Sequence, residues 1–198
     1  MPMFPLGSVL FPHMPLPLRV FEPRYLTMLK DVLNAEPSEF GVVLIERGPE
    51  VGGGDIRVDI GAAATVSGLD SAGESVLLIA QGSRRIRVVR WLEDDPYPRA
   101  EVEEVPAPPW SADLLPLLER AQRTVRRVLR LAEEAGAELT WPADVGLDDD
   151  PAAAAWQLAA IAPLGALDQL DLLRSDSVRR LLERTLELTE EAEVLYSA

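Results

Sequence analysis

The chain has 198 residues, 47% of them apolar, with 19 basic and 33 acidic side chains, one histidine and no cysteine. That length holds one sizeable domain or two small ones, and the missing cysteine removes disulfides, thiolate nucleophiles and cysteine-bound metals. A net charge of −14 repels a phosphate backbone, no run approaches the roughly 20 apolar residues that span a bilayer, and the start Met1-Pro2-Met3-Phe4-Pro5 carries no export signal. The expectation is a soluble, cytoplasmic protein that binds neither nucleic acid nor membrane.

From Met3 to about Val105, short apolar or β-branched runs alternate with Gly, Pro and Asp punctuation, the pattern of strands and turns. One helix interrupts them. It enters at Pro23, since a first-turn N–H has no intrahelical partner to lose, and presents Tyr25, Leu26, Leu29, Val32 and Leu33 on one face before Asn34 ends it. Glu39 to Glu46 reads as a buried strand, Glu50 to Asp55 as a glycine-rich loop, and Arg57 to Leu69 as a strand with an irregularity at Gly61. Ser75 to Gln81, Ser83 to Leu92 and Arg99 to Val105 read as three further strands, with Asp70-Ser71-Ala72-Gly73 turning the first hairpin.

The Pro106-Ala107-Pro108-Pro109 segment divides the chain into residues 1–106 and 107–198, because the period changes beyond it. A helix lies within about 113–135, with Leu114, Leu117, Leu118, Ala121, Val125, Val128, Leu129 and Ala132 as its apolar stripe. Asp150-Pro151 starts a second helix to about 162, a short one follows at about 164–172, and Ser175 or Asp176 caps the last, which runs to about Leu195.

Catalytic chemistry is hard to place on these residues. His13 is the single histidine, so no site can use two, and Val51-Gly52-Gly53-Gly54-Asp55 lacks the lysine and hydroxyl residue of a phosphate loop. Lys30 is the single lysine and lies far upstream. Glu93-Asp94-Asp95 and Asp148-Asp149-Asp150 match no spaced calcium loop and read as a solvated turn and a helix cap. Arg84, Arg85, Arg87 and Arg90 form the one basic cluster, with Arg85 and Arg87 on the outer face of a half-buried strand and no aromatics between them to stack bases. No catalytic residue, cofactor or metal site is expected.

The opening segment from Phe4-Pro5-Leu6-Gly7-Ser8-Val9-Leu10-Phe11-Pro12-His13-Met14-Pro15 through Val20-Phe21-Glu22-Pro23-Arg24-Tyr25 resembles the start of the Lon substrate-binding family in its stand-alone form. The likeness continues through Gly41-Val42-Val43, Asp59 to Val66, Gln81-Gly82-Ser83-Arg84-Arg85-Ile86-Arg87-Val88 and, among the helices, Ala159 to Leu164 and Leu170 to Leu181. It implies an α+β fold, a PUA-like twisted sheet or pseudo-barrel with one helix followed by a helical bundle. It also implies the role that this domain has in Lon proteases, recognition of unfolded or tagged polypeptides, without the nucleotide-driven motor and Ser/Lys peptidase that follow it there.

The leading expectation is therefore a non-catalytic recognition or adaptor module. Its partners would be unfolded or exposed polypeptide segments and a protease acting in trans. The apolar loop residues Phe11, Pro12, His13, Met14 and Pro15 are the candidate contact patch, with the alternative that they seal the end of the barrel. A second expectation is a small-molecule pocket between the two subdomains, with Trp91, Trp110, Trp141 and Trp156 as candidate walls. RNA binding, suggested by the PUA-like fold, stands third.

Overall fold

Burial of alternate apolar side chains shapes the first half of the molecule, seen in a computed structural model that describes residues 1–48, 56–73 and 75–196. The elements are β1 (Met3–Leu6), β2 (Pro15–Val20), α1 (Pro23–Leu33), β3 (Glu39–Arg47), β4 (Ile56–Ala72), β5 (Ser75–Trp91) and β6 (Ala100–Val105). A 3₁₀ turn (Ala112–Leu114) then leads into α2 (Leu115–Glu134), α3 (Pro151–Ile161), α4 (Ala166–Leu173) and α5 (Val178–Tyr196). The chain forms two compact units, Met1–Ala107 and Pro108–Ala198.

The sheet of the first unit runs β1-β3-β4-β5-β2, with β6 also on β5. β1 is parallel to β3, and the other pairings are antiparallel. The 17-residue β5 carries two partners in succession: residues 76–81 pair with β2, and residues 85–91 pair with β6. Backbone bonds from Met3 N to Pro98 O (2.8 Å) and from Ala100 N to Met1 O (3.0 Å) then bring the β6 end against the beginning of β1. The barrel is thus closed at the β6 end, while β1 and β2 stand as the terminal strands of the order at the other.

The interior holds Met3, Phe4, Phe40, Val42, Ile60, Leu78, Ala80 and Ile86. The Phe4 ring stacks on Tyr25 of α1, centroids 4.0 Å apart. α1 has the expected bounds and Asn34 at its end, its side-chain amide donating to Lys30 O at 2.9 Å. The buried face differs by one step: Met28 is inside and Leu33 outside. A helix one turn shorter in its apolar stripe puts its second-turn methionine, not its last leucine, over the sheet.

The two strands expected at 75–81 and 83–92 are one strand that passes through Gly82. The irregularity expected at Gly61 is present on its β3 side. Gly61 pairs with Val43 and Ile86, the β3–β4 ladder loses register directly beyond the Val43–Gly61 pair, and further shifts against β5 fall between Ala62 and Ala64 and between Val66 and Gly68. Asp70 and Ser71 belong to β4, and the reversal is at Gly73, whose φ of 67° suits glycine. The Glu50 to Asp55 loop, with its phosphate-loop reading, lies outside the described residues.

In the second unit α2 and α5 lie side by side, joined by Arg120–Glu190 (3.2 Å) and Arg127–Glu193 (2.7 Å), while Arg179 of α5 pairs with Asp113 of the 3₁₀ turn (2.7 Å). Asp150 caps α3 by accepting from Ala152 N and Ala153 N, both at 3.3 Å. α3 is buried on nearly all sides, as a helix of Ala, Trp, Leu and Ile without a polar face must be. The cap of α5 is Ser177, not Ser175 or Asp176: its hydroxyl accepts from Arg180 N at 3.3 Å and its carbonyl from Leu181 N at 3.0 Å.

Candidate functional site

Four of the five candidate contact residues, Phe11 to Met14, form a largely buried turn. Met14 N donates to Phe11 O, with Pro12 second and His13 third at φ 65°, the residue pattern of a type II turn. His13 N donates to Gly82 O at 2.8 Å and Gly82 N to Met14 O at 2.9 Å, pinning the turn to the middle of β5. Gly82 is required there, because a Cβ would lie 2.1 Å from Phe11 O. Phe11 is 1% exposed and Met14 6%, Pro12 is buried, His13 is half-buried, and Pro15 alone faces solvent, at the start of β2. Of the two expectations for this loop, burial of Phe11, Pro12 and Met14 matches the one in which they seal the barrel end, not the exposed contact patch. Burying a Phe or Met side chain gains about 1.5–3 kcal/mol, so an open barrel end beside the loop draws both in.

The exposed apolar surface is one strand away. On β5, Leu77 is 43% and Ile79 54% exposed, while Val76, Leu78 and Ala80 face inward or lie half-covered. The register puts Pro17 opposite Ile79 and Arg19 opposite Leu77 on β2, and Gly68 opposite Ile79 and Asp70 opposite Leu77 on β4. With exposed Pro15 at the next position, Pro15, Pro17, Leu77 and Ile79 make an apolar strip across β2 and β5, with Gly68 of β4 beside it. Its boundary is polar: Arg19 Nε donates to Ser75 Oγ at 3.0 Å, and Asp70 stands at the other side.

β2 ends the strand order, and its sequence shapes that edge. Antiparallel pairs alternate between bonded and non-bonded, and Gly82 exchanges bonds with the Met14 end of the turn. Leu16, Leu18 and Val20 therefore bond to β5, while Pro15, Pro17 and Arg19 turn their backbone groups outward. Both prolines sit where a missing N–H costs the ladder nothing, and they remove two of the donors that another strand would use.

The basic cluster is spent internally. Arg84 makes two bonds to the Glu39 carboxylate, 2.6 and 2.7 Å, and the bond to Glu39 raises its pKa above the ordinary guanidinium value. Arg87 pairs with Glu103 at 3.1 Å and Arg90 with Glu101 at 2.5 Å. Arg85, expected on the outer face, is 4% exposed and donates to Pro106 O at 3.1 Å. A buried guanidinium needs such a carbonyl acceptor.

The tryptophans are committed separately. Trp91 lies under the Arg57 guanidinium, 4.5 Å from the ring centroid, Trp156 is buried in α3, and Trp110 and Trp141 are half-buried. In the second unit Arg126, Arg130, Glu133, Ala143 and Asp144 line an open hollow of about 520 Å³. Arg126 there donates to Val145 O at 2.8 Å, and Glu133 accepts from Ala143 N at 3.0 Å, so both hold the loop rather than face a ligand. Among the described residues no helix is long and apolar enough to cross a membrane.

A largely antiparallel β-barrel followed by a separate helical unit is an α+β architecture. A family model described as the ATP-dependent protease La (Lon) substrate-binding domain matches residues 1–191, and the chain belongs to that family. It is 28% identical to a Lon protease of Syntrophus aciditrophicus over 98% of its own length, and spans about a quarter (25%) of that protein. The crystal structure of a Lon N-terminal domain protein from Xanthomonas campestris is similar at TM-score 0.67 and 28% identity, covering 94% of this chain and 96% of that one. The N-terminal domain of a Mycobacterium avium complex Lon protease, 17% identical, shares the fold at TM-score 0.68 over 96% and 97% of the two chains. The α+β, PUA-like architecture is that of Lon N-terminal domains.

Proposed function

We propose that this chain is a polypeptide-recognition module without catalysis of its own, and that it holds exposed apolar segments of unfolded proteins against the outer face of β2 and β5. The carrying observation is the Pro17, Leu77 and Ile79 strip, where exposed apolar side chains of two paired strands lie next to one another. Contiguous apolar surface of this kind marks contact with other macromolecules. Family membership supports the same reading, since the matched family is a substrate-binding one. Unfolding and peptide cleavage would fall to a protease partner, because the chain has one lysine, exposed on α1, and one histidine, held in the Phe11–Met14 turn.

The test is a titration of a fluorescently labelled, permanently unfolded polypeptide by anisotropy. Saturable binding is expected, weakened about tenfold or more by Ile79→Asp, since a charge in an apolar contact loses its burial and adds a desolvation cost. Arg87→Ala on the ion-paired half of β5 should leave it unchanged. No saturable binding to any unfolded chain would reject the proposal.

A further inference from the structure

The apolar strip borders a second strand edge, on β4. β3 follows β4 as far as the Glu39–Thr65 pair, and Val66 N then donates to Ser38 O at 3.0 Å. Beyond that point residues 67–71 have β5 on one side and, among the described residues, no strand on the other. Gly82 bonds on the β2 side of β5, so every second residue back from it faces β2, and Leu77 and Ile79 between them bond to β4. Their partners Asp70 and Gly68 are therefore tied to β5, while Leu69 and Ser71 turn their backbone groups outward. The Asp70 carboxylate accepts from Ser71 N at 2.8 Å, which leaves Leu69 N–H as a donor and the Leu69 and Ser71 carbonyls as acceptors. Leu69, Asp70 and Ser71 are exposed, and no proline blunts this stretch as Pro15 and Pro17 blunt β2.

We infer, resting on the polypeptide-recognition reading, that this edge takes the bound polypeptide as an added antiparallel strand, with an apolar residue across from Gly68 and a basic residue across from Asp70. Three observations select the occupant. Outward N–H and C=O groups at strand spacing are matched by another extended backbone. Gly68 leaves a gap on the outer face: a Cβ there would lie 3.8 Å from Ile79 Cβ and 3.9 Å from its Cδ1. An apolar side chain that crosses the glycine from the added strand thus lies on Ile79 at ordinary contact distance. Asp70 shares that face two residues on, where a lysine gains an ion pair and a glutamate is repelled. In the antiparallel sense of both existing β4 pairings, the lysine comes before the apolar residue, with one residue between them that bonds to Leu69. A second copy of this chain fits the edge worse. Paired about Leu69 it lays its own Asp70 over Gly68 and Ile79, paired about Asp70 it opposes two carboxylates, and paired about Gly68 it leaves the gap empty.

The experiment uses the whole chain and short labelled peptides with a central Lys-Thr-Phe, read by anisotropy. Replacing the Phe by Ala should weaken binding about tenfold, the value of one buried side chain. A methyl on the Thr nitrogen, whose N–H meets the Leu69 carbonyl, should weaken it about fivefold. Replacing the Lys by Glu should weaken it about threefold at low salt. Asp70→Lys should reverse the order of the Lys and Glu peptides, which a merely structural role for Asp70 would not do. Leu69→Pro costs the β4–β5 ladder no bond and should weaken the parent peptide about fivefold; if it does not fold, the methylated peptide and Asp70→Lys keep the test decisive. Unchanged binding of the methylated peptide, or a preference for Lys that Asp70→Lys leaves in place, overturns the added strand, while loss on Ile79→Asp keeps the recognition surface. A dimer that Leu69→Pro abolishes and the peptide does not dissociate overturns it in favour of a second copy. Absence of binding by every peptide and by unfolded polypeptide overturns both.

Discussion

The two halves of β5 share one backbone and one neighbour in β4, yet the outer face of the first is apolar and that of the second is mostly ion-paired, with Val89 its exposed apolar residue. Residues 76–81 carry Leu77 and Ile79 into solvent beside the prolines of β2, while residues 85–91 carry Arg87 and Arg90 against Glu103 and Glu101 of β6. The second half is what an ordinary solvent-facing antiparallel pair looks like, with opposite charges across the strands. The first half keeps a face that a monomer gains nothing by exposing. One strand thus carries an ion-paired surface and an apolar one, and the proposed contact region is the apolar one.

The largest expected effect comes from the turn between the halves. Phe11→Ala should cost about 3–5 kcal/mol in chemical denaturation, the range for removing a buried ring. If Phe11 were instead a contact residue, stability would hold and affinity would fall. Gly82→Ala should cost about 3 kcal/mol, since its Cβ would meet the Phe11 carbonyl. Next in size, Ile79→Asp should lower polypeptide affinity about tenfold while leaving stability within about 0.5 kcal/mol, as for other surface changes. On the charged half, Glu103→Ala should change stability by no more than about 0.5 kcal/mol, because the Arg87 pair is half in solvent.

The smallest effect is a pH dependence confined to the charged half. The bond from Arg90 holds the Glu101 carboxyl below its ordinary 4.5, so the ionised form is favoured in the folded state. A depressed folded-state pKa stabilises above the unfolded value and the contribution disappears as pH falls through the folded one. Stability of the wild type should therefore decline slightly more than that of Arg90→Gln as pH drops below 4.5, measured by thermal unfolding at matched ionic strength.

Most elements were legible because their signals were local. Pro23 and Asn34 bracket α1, and Asp150-Pro151 opens α3 through a cap that the structure contains. The contact strip was not legible for a specific reason. Val76-Leu77-Leu78-Ile79-Ala80 is an unbroken apolar run, and which of its alternating faces meets water depends on pairing with β2 and β4, partners that lie far away in sequence. For Phe11 and Met14 the choice between an exposed patch and a sealed barrel end stayed open, since loop composition says nothing about a barrel end that can enclose them. In α5, Thr185 and Thr189 read as polar yet are buried, each hydroxyl donating to a carbonyl one turn back at 2.7 and 2.6 Å. Leu195 reads as core yet is 77% exposed.

The assignment of recognition to the apolar half of β5 is tested most directly by mapping the footprint of a bound unfolded polypeptide with residue-resolved photo-crosslinking. A probe should capture positions 17, 77 and 79 and leave 87, 90, 101 and 103 unlabelled. Crosslinks concentrated on the β6 half, or on the 11–14 turn, would contradict it.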